Sequence, residues 1–376
     1  MFFPRRLACF SLCAAFGLAA ARFAGAAEPT ANQQYWLELI NRFRADPQGE
    51  LTRLVNITGN SWDPVKAGDA NVVIALNYFG TDAATLVAQF ATLSAQPPLA
   101  WNSTLQASAA SYSDLMVTQD AQSHSLDGVS ISQRILAGGY GPNWLKAGEN
   151  LFAATYGVTH GHTGMIIDWG DQDGNGTAPF GNGIQSPAGH RDALIDRQFK
   201  EIGIAFQSIA IPFTNTVATG PLVNTQHLGS TFRFTSGSYY SDAILTGSIF
   251  NDSVLADAFY TPGEGLAGLS VLVYDVLTDT LVASGTSNSA GGFNISLQGL
   301  TEGAQYRVEA PGSGSSARLF TLTSTVENFG ANVRMYDNVY ASFVAVPEPG
   351  GAVLCLAAAF LAVRSRKRPL PNQTES

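Results

Sequence analysis

The stretch QSPAGHRDALID (residues 185–196) places His190 between a Ser-Pro turn and the predicted first turn of a helix. The chain has 376 residues and only five histidines, so this one either packs in a core or belongs to a site. Three fragments precede it in order: AQSHSLDG with His124, AGENLFAA with Glu149, and DWGDQDGNG with Trp169. His124, Glu149 and His190 are 25 and 41 positions apart, so only tertiary folding can bring them together.

The segments before these fragments have the periodicity of helices. In NQQYWLELINRFRADP (32–47), four apolar residues fall on one helical face, which ends before Asp46-Pro47: Trp36, Leu39, Ile40 and Phe43. A second helix is predicted to begin at the cap Asn102-Ser103 and to bury Leu105, Ala109, Tyr112 and Met116. Residues 50–98 between them indicate an inserted helical piece.

This succession of elements resembles the CAP superfamily of SCP-like extracellular proteins, in its bacterial secreted form. The matching fragments are PPLAWNSTLQ, QRILAGGY, GENL, GHRDALI and KEIGIAF, spread over a predicted domain of residues 30–240. The resemblance implies an α+β fold in which an α-β-α sandwich surrounds a central cleft. In that family two histidines and acidic residues line the cleft, and in some members they bind a divalent metal.

Carried onto this chain, the cleft residues of the family are His124, Glu149 and His190. The second glutamate of the family falls on Gln172, so the full set of four side chains is not present. Two imidazoles and one carboxylate with an open fourth position predict a Zn²⁺ or other divalent metal site. The alternative is that both histidines only form hydrogen bonds in a polar cleft.

The second half of the chain, residues 241–337, consists of short alternating segments separated by glycine-rich turns. Five segments predict strands: ILTGSIF, LSVLVYDV, DTLVASG, GFNISL and YRVEA. The pattern resembles the B-type repeat domains of bacterial adhesins, which implies a small all-β, prealbumin-like sandwich followed by a linker over 338–346. Asp252, Asp257 and Glu264 are candidate Ca²⁺ ligands, with solvated turn carboxylates as the alternative.

Both ends of the chain read as targeting segments. Residues 1–27 combine Arg5 and Arg6, an apolar run and small residues near Ala26, which predicts a cleaved secretory signal rather than a retained anchor. Residues 347–370 contain Pro-Glu-Pro, about 14 apolar residues and a basic cluster, which resembles the PEP-CTERM sorting signal. That resemblance implies a membrane sorting protease as partner and delivery to the cell envelope or extracellular matrix, with transient or permanent anchoring through the short hydrophobic segment.

Composition limits the kinds of partner and chemistry. Hydrophobic residues make up 45% of the chain and charged residues 13%, which favours folded cores over disorder. Cys9, Cys13 and Cys355 all lie in the targeting ends, so the body has neither a disulfide nor a cysteine ligand. Without those ends the body carries 13 basic and 28 acidic residues, and this negative charge argues against nucleic acid as a partner.

Three functions fit these features. The first is a non-enzymatic module that binds an extracellular ligand, a lipid or an envelope polymer, in a cleft lined by His and Glu. The second is a metal-dependent hydrolase or peptidase, with Glu149 as ligand or general base. The third is a structural component of the matrix or of adhesion. No His-Glu-x-x-His, Gly-x-Ser-x-Gly or phosphate loop is present, and the sequence leaves open whether the protein is an enzyme.

Overall fold

The computed structural model describes residues 27–58, 61–64, 69–172, 178–209 and 219–345. The predicted sorting tail, and all of the predicted signal peptide except Ala27, lie outside these residues. Within the described ranges, no helix has both the length and the apolar character needed to cross a bilayer. The apolar run predicted to contact the membrane belongs to the tail and lies outside the described part.

The α-helices of the described chain all lie before its residue 196. They are α1 (Ala31–Ala45), α2 (Pro47–Leu54), α3 (Ala70–Phe79), α4 (Ala83–Ala91), α5 (Ser103–Gln119), α6 (Ile131–Ala137), α7 (Val158–Ile167) and α8 (Gly189–Ile195). α1 begins with a capping box in which Thr30 and Gln33 satisfy each other's backbone N–H groups. The amide side chain of Asn102 caps α5 by accepting from the N–H groups of Thr104 and Leu105.

The two helices predicted from periodicity are confirmed. α1 buries Trp36, Ile40 and Phe43 in the largest hydrophobic cluster, and it ends at Ala45, just before Asp46 and Pro47. α5 buries the four residues of its predicted stripe: Leu105, Ala109, Tyr112 and Met116. Both helices therefore form where a 3.6-residue apolar repeat lies behind a side-chain cap.

The strands continue to the end of the described chain. They are β1 (Val55–Thr58), β2 (Ser61–Pro64), β3 (Ala100–Trp101), β4 (Trp144–Thr155), β5 (Glu201–Ser208), β6 (Leu222–Thr231), β7 (Arg233–Thr235), β8 (Ser238–Ser241), β9 (Ile244–Phe250), β10 (Ser270–Asp275), β11 (Leu281–Thr286), β12 (Gly292–Ser296), β13 (Gln305–Glu309), β14 (Arg318–Thr321), β15 (Ser324–Asn328), β16 (Asn332–Tyr336), β17 (Val339–Tyr340) and β18 (Phe343–Val344).

The N-terminal half is organised around a four-stranded sheet of order β3-β5-β6-β4, in which β4 is an edge strand. β6 pairs antiparallel with both β5 and β4, and β3 pairs parallel with β5. Ile202 and Ile204 of β5 pack in one core with side chains of α1, α7 and α8. Gly203 lies between them and faces the backbone of α5, so helices cover both faces of the sheet.

The insertion at 50–98 is largely helical, as expected, and also contains the β1–β2 hairpin. Pro47, which ends the first helix, starts α2 at a position where its missing N–H is harmless. Val72 and Leu76 of α3, with Leu86 and Phe90 of α4, join the same core as α1. The insertion is therefore packed into the domain and not appended to it.

The C-terminal region is rich in antiparallel strands. The five predicted segments correspond to β9, β10, β11, β12 and β13. These strands lie in two sheets, β11-β10-β13-β14 and β12-β9-β17, which share a core containing Ile249, Val273 and Phe293. A further sheet, β15-β16-β8-β7, includes β8, which ends at the predicted domain boundary and pairs with β16.

Buried polar contacts join the two halves. The Lys200 ammonium donates to the carbonyl oxygens of Asp242 and Tyr336, both at 2.5 Å. Asn338 donates to the carbonyls of Pro98 at 3.0 Å and of Lys200 at 2.8 Å. Burial lowers the pKa of Lys200 to about 8, although neighbouring carboxylates oppose this shift. The halves thus meet through satisfied hydrogen bonds and not through loose surface contact.

The contact of α5 with β5 generates a stability prediction. A Cβ at Gly203 would lie 1.9 Å from the backbone nitrogen of Gln106, so Gly203→Ala should lower the free energy of unfolding by about 3 kcal/mol. Gly189→Ala is the matched control, because no atom beyond its chain neighbours and the backbone of its own helix lies within 4 Å of the added methyl. Urea denaturation of both variants measures the difference, and equal stabilities would contradict the tight packing.

Candidate functional site

Glu149 is the centre of a buried polar network on one face of the sheet. Its carboxylate contacts His124 Nδ1 at 2.8 Å and His227 Nε2 at 2.9 Å, and it forms an ion pair with Arg134. The side chain of Glu149 is 3% exposed, whereas that of His124 is 65% exposed. The network therefore runs from a buried carboxylate to an imidazole at the surface.

Arg134 supplies the positive charge of this network. Its guanidinium also donates to both carboxylate oxygens of Asp127 at 2.8 Å and lies 3.6 Å from the ring centre of Tyr112. Burial raises the pKa of Glu149, but hydrogen bonds from His124 and His227 and the charge of Arg134 more than offset it, so the pKa is lowered. Burial also lowers the pKa of His227, against the attraction of Glu149.

Removing the cation of this network should be costly. We expect Arg134→Met to lower the free energy of unfolding by about 3 kcal/mol, because Glu149 then stays buried without its cation. Asp127→Asn should cost less, since Asp127 is the more exposed partner. Urea denaturation at pH 7 measures both, and a double variant Arg134→Met/Glu149→Gln should regain most of the loss. A double variant no more stable than Arg134→Met would argue against a buried charge as the cause.

His190 lies on the other side of the sheet from this network. Glu149 and Asn150 are neighbours in β4, so their side chains point to opposite faces. Glu149 is opposite His227 in the register of β4 and β6, whereas the Asn150 amide donates to the carbonyl of His190 at 3.3 Å. The structure brings His124 and Glu149 into contact, and in the described part of the chain neither is a hydrogen-bond partner of His190.

Asp168 is the partner of His190. Its carboxylate contacts His190 Nδ1 at 2.6 Å and accepts the backbone N–H of the same residue at 2.9 Å. Asp168 is fully buried at the end of α7, and its backbone is left-handed, with φ 59° and ψ 44°. Two bonds from one carboxylate to one residue fix both the start of α8 and the orientation of the imidazole ring.

His190 lines a cleft of about 710 Å³ at the edge strand β4. Apolar and aromatic side chains form most of its walls, with a few amides and histidines among them: Asn71, Ile74, Ala75, Tyr78, Phe79, Gln122, Leu151, Phe152, Ala153, Ala154, Tyr156, His160, Gly164, Met165, Trp169, Gln185 and His190. One wall is α3, so the insertion borders the cleft. Volume and lining are typical of a small-molecule site.

His160 belongs to the aromatic wall of this cleft. Its ring lies 5.2 Å from that of Trp169 and 5.6 Å from that of Phe152, and its Nδ1 accepts the N–H of Tyr156. Burial lowers the pKa of His160 to about 4, and the charge of Asp69 opposes this only in part. A glycine next to this histidine favours a solvated loop, but the structure places both His160 and His162 in the buried helix α7.

This shift of the His160 pKa predicts a dependence of stability on pH. The ordinary pKa of 6.5 applies to the unfolded chain, so the unfolded state binds the extra proton as pH falls from 6.5 to 4, and folding is weakened. His160→Phe should remove about 3 kcal/mol of that acid loss. Denaturant titrations at several pH values test this, and an unchanged slope between pH 6.5 and 4 would assign the loss to other groups.

The candidate zinc ligands have other partners in this structure. Arg134 places a full positive charge against Glu149, which disfavours a divalent cation at that carboxylate. Over the described residues, no group of three or more His, Cys, Asp and Glu side chains is arranged to hold a metal ion. A zinc site at His124, Glu149 and His190 stays a prediction, and the residues around Glu149 do not fit it.

The three candidate calcium ligands bind the backbone of their own loop. Glu264 is fully buried and accepts the N–H groups of Val254 at 2.8 Å and Thr261 at 2.7 Å. Asp252 accepts the N–H of Asp257 at 3.1 Å, and Asp257 accepts the N–H of Phe259 at 3.0 Å. These bonds account for the acidic residues as organisers of the loop, and calcium binding stays a prediction.

Sequence reasoning assigned no role to three residues that hold the two polar sites together. Arg134 and His227 contact Glu149, and Asp168 contacts His190. Arg134 lies in QRILAGGY, one of the fragments on which the family resemblance rests, and His227 lies in β6. Asp168 directly precedes Trp169, but its spacing from His190 gives no signal of contact.

Comparison with known families gives a match for part of the chain. Residues 37–210 match the CAP family, described as the cysteine-rich secretory protein family, over a little under half of the chain. The match supports an N-terminal CAP-like domain, as the resemblance of the fragments predicted. No curated protein matches the chain by sequence.

Two solved structures are similar to the chain at low identity. An extracellular protein containing an SCP domain from Bacillus anthracis shares 20% identity over 36% of this chain and 34% of that chain, with a TM-score of 0.25. An outer surface protein from Borrelia burgdorferi shares 15% identity over 43% of this chain and 94% of that chain, also with a TM-score of 0.25. The chain spans about a third of the length of the Bacillus protein.

Proposed function

We propose that the CAP-like domain binds an apolar extracellular ligand of the lipid class, and that the cleft beside β4 is its binding site. The observation that carries this proposal is the cleft itself, about 710 Å³ in volume and walled mainly by apolar and aromatic side chains. Sites for small molecules have volumes of roughly 300–1,000 Å³ and linings of this kind. Binding requires no catalytic step and no metal.

The exposed apolar side chains of α3 support this assignment. Ile74 is 64% exposed and Tyr78 is 67% exposed, and both line the cleft. Tyr156, which follows β4, also lines the cleft and is 50% exposed. Large apolar side chains clustered around an open cavity mark binding sites in soluble proteins, since burying them against a ligand removes them from water.

Export and an envelope location complete the proposal. The secretory signal predicted over 1–27 and the description of the CAP family as secretory both favour a protein that acts outside the cytoplasm. In this proposal a membrane sorting protease acts at the tail over 347–370. The domain adopts the α-β-α sandwich of the CAP fold, and a prealbumin-like β-sandwich over 241–337 acts as a spacer between the binding domain and the envelope.

A variant that fills the cleft tests the function. Ala154 is exposed and lines the cleft, so Ala154→Trp should occupy part of the cavity and weaken binding of a neutral apolar fluorescent dye by at least roughly tenfold. Ala88→Trp is the matched control, because Ala88 is exposed on α4 and is not part of the cleft lining. Dye titration followed by fluorescence measures both variants.

Two results of this experiment would contradict the proposed function. A wild-type protein that does not bind apolar dyes, or that binds them equally well with Trp at position 154, would rule out the cleft as the lipid site. Far-ultraviolet circular dichroism of each variant verifies that the fold is kept.

A further inference from the structure

One polar side chain of the cleft, that of His190, is held in a fixed orientation by Asp168, which lies behind it. The carboxylate of Asp168 binds both the ring Nδ1 and the backbone N–H of His190. The backbone of Asp168 is itself held, because its N–H donates to the carbonyl of Gly164 at 2.8 Å and its carbonyl accepts from Gln185 at 2.8 Å. The ring of His190 cannot turn without losing its bond to a carboxylate that has no freedom to follow.

This arrangement determines what His190 presents to the cleft. A neutral imidazole that donates Nδ1–H to a carboxylate has its free lone pair on Nε2. The side chain of His190 is 19% exposed and lines the cleft, and within the described residues its ring bonds only to Asp168. Nε2 is therefore available as a hydrogen-bond acceptor for a group in the cleft.

Charge around the cleft selects against an anionic ligand. None of the described residues lining the cleft is a lysine or an arginine. Arg191, next to His190, turns away and donates to the carbonyl of Ile167 and to the side chain of Gln89. A carboxylate head group near His190 would meet the carboxylate of Asp168 in surroundings that screen charge poorly, and Arg191, the cation that attracts Asp168, does not line the cleft.

From these contacts we propose that the cleft selects a neutral amphiphile bearing a hydroxyl group, whose O–H donates to His190 Nε2 while its apolar chain packs on the cleft walls. This inference rests on the proposed function and adds the chemical class of the ligand. Asp168 acts through His190 as a positioning residue and does not touch the ligand.

Four compounds with the same twelve-carbon chain separate this inference from general apolar binding. Dodecanol donates a hydrogen bond, dodecyl methyl ether only accepts one, dodecanoate is anionic, and dodecane is apolar throughout. Competition against the neutral dye at pH 8, with the purified full chain, should rank dodecanol roughly tenfold above the ether, which is the effect of one good hydrogen bond. Dodecanoate should bind less tightly than the ether.

Two variants assign the preference to its residues. His190→Phe removes the acceptor. Asp168→Asn leaves one oxygen to accept from two N–H groups, the ring Nδ1–H and the backbone N–H of His190, which weakens the bond that orients the ring. Both variants should therefore bring the ratio of alcohol to ether affinity close to one. Binding of the ether and of dodecane should persist in both variants, which shows that the cleft is still formed.

The outcomes are distinguishable. Equal affinities of dodecanol and the ether in the wild-type protein, or a preference that survives His190→Phe, would overturn the inference and leave the apolar cleft intact. If none of the four compounds displaces the dye, the proposed function and this inference fail together.

Discussion

The alternation of side chains along β4 is the constraint on which the two polar sites depend. Because successive residues of a strand face opposite sides, Glu149 must point toward α5 and α6 when Asn150 points toward α8. The carboxylate then meets Arg134 and His227, and the amide supports the start of the helix that carries His190. A single-residue change of register would exchange the two faces and break both sets of contacts.

The two faces of the sheet differ in how their charged groups are balanced. Around Glu149, burial of a carboxylate is offset by a guanidinium and two imidazoles, so the charged groups satisfy each other and stabilise the fold. The cleft instead contains two imidazoles among apolar walls, those of His160 and His190, and the ring of His190 is oriented by Asp168, which is buried behind it. The polar groups around Glu149 already bind one another, so few of them are free to bind a ligand. The imidazole acceptor in the apolar cleft is free to accept a hydrogen bond from one.

The insertion at 50–98 and the C-terminal strands both contribute to this architecture. The insertion supplies α3, which forms one wall of the cleft and packs into the core through Val72 and Leu76. The C-terminal strands meet the N-terminal half through Lys200 and Asn338, whose buried polar groups are hydrogen-bonded across the boundary. Hydrogen-bonded buried groups of this kind hold two regions in a fixed relative position, because separating the regions would leave each donor without its acceptor.

Local sequence patterns determined much of the secondary structure. The apolar repeats and caps of α1 and α5 and the alternation in β9 to β13 are properties of neighbouring residues, and the structure agrees with them. The family resemblance predicts one cleft for His124, Glu149 and His190; in the structure His124 and Glu149 are in contact, whereas His190 lies on the other face of the sheet. Only the tertiary structure decided that His190 pairs with Asp168, that Arg134 forms an ion pair with Glu149, and that α3 forms one wall of the cleft. These contacts join residues distant in the chain, and their geometry depends on which face of a sheet each side chain takes, which no short-range pattern specifies.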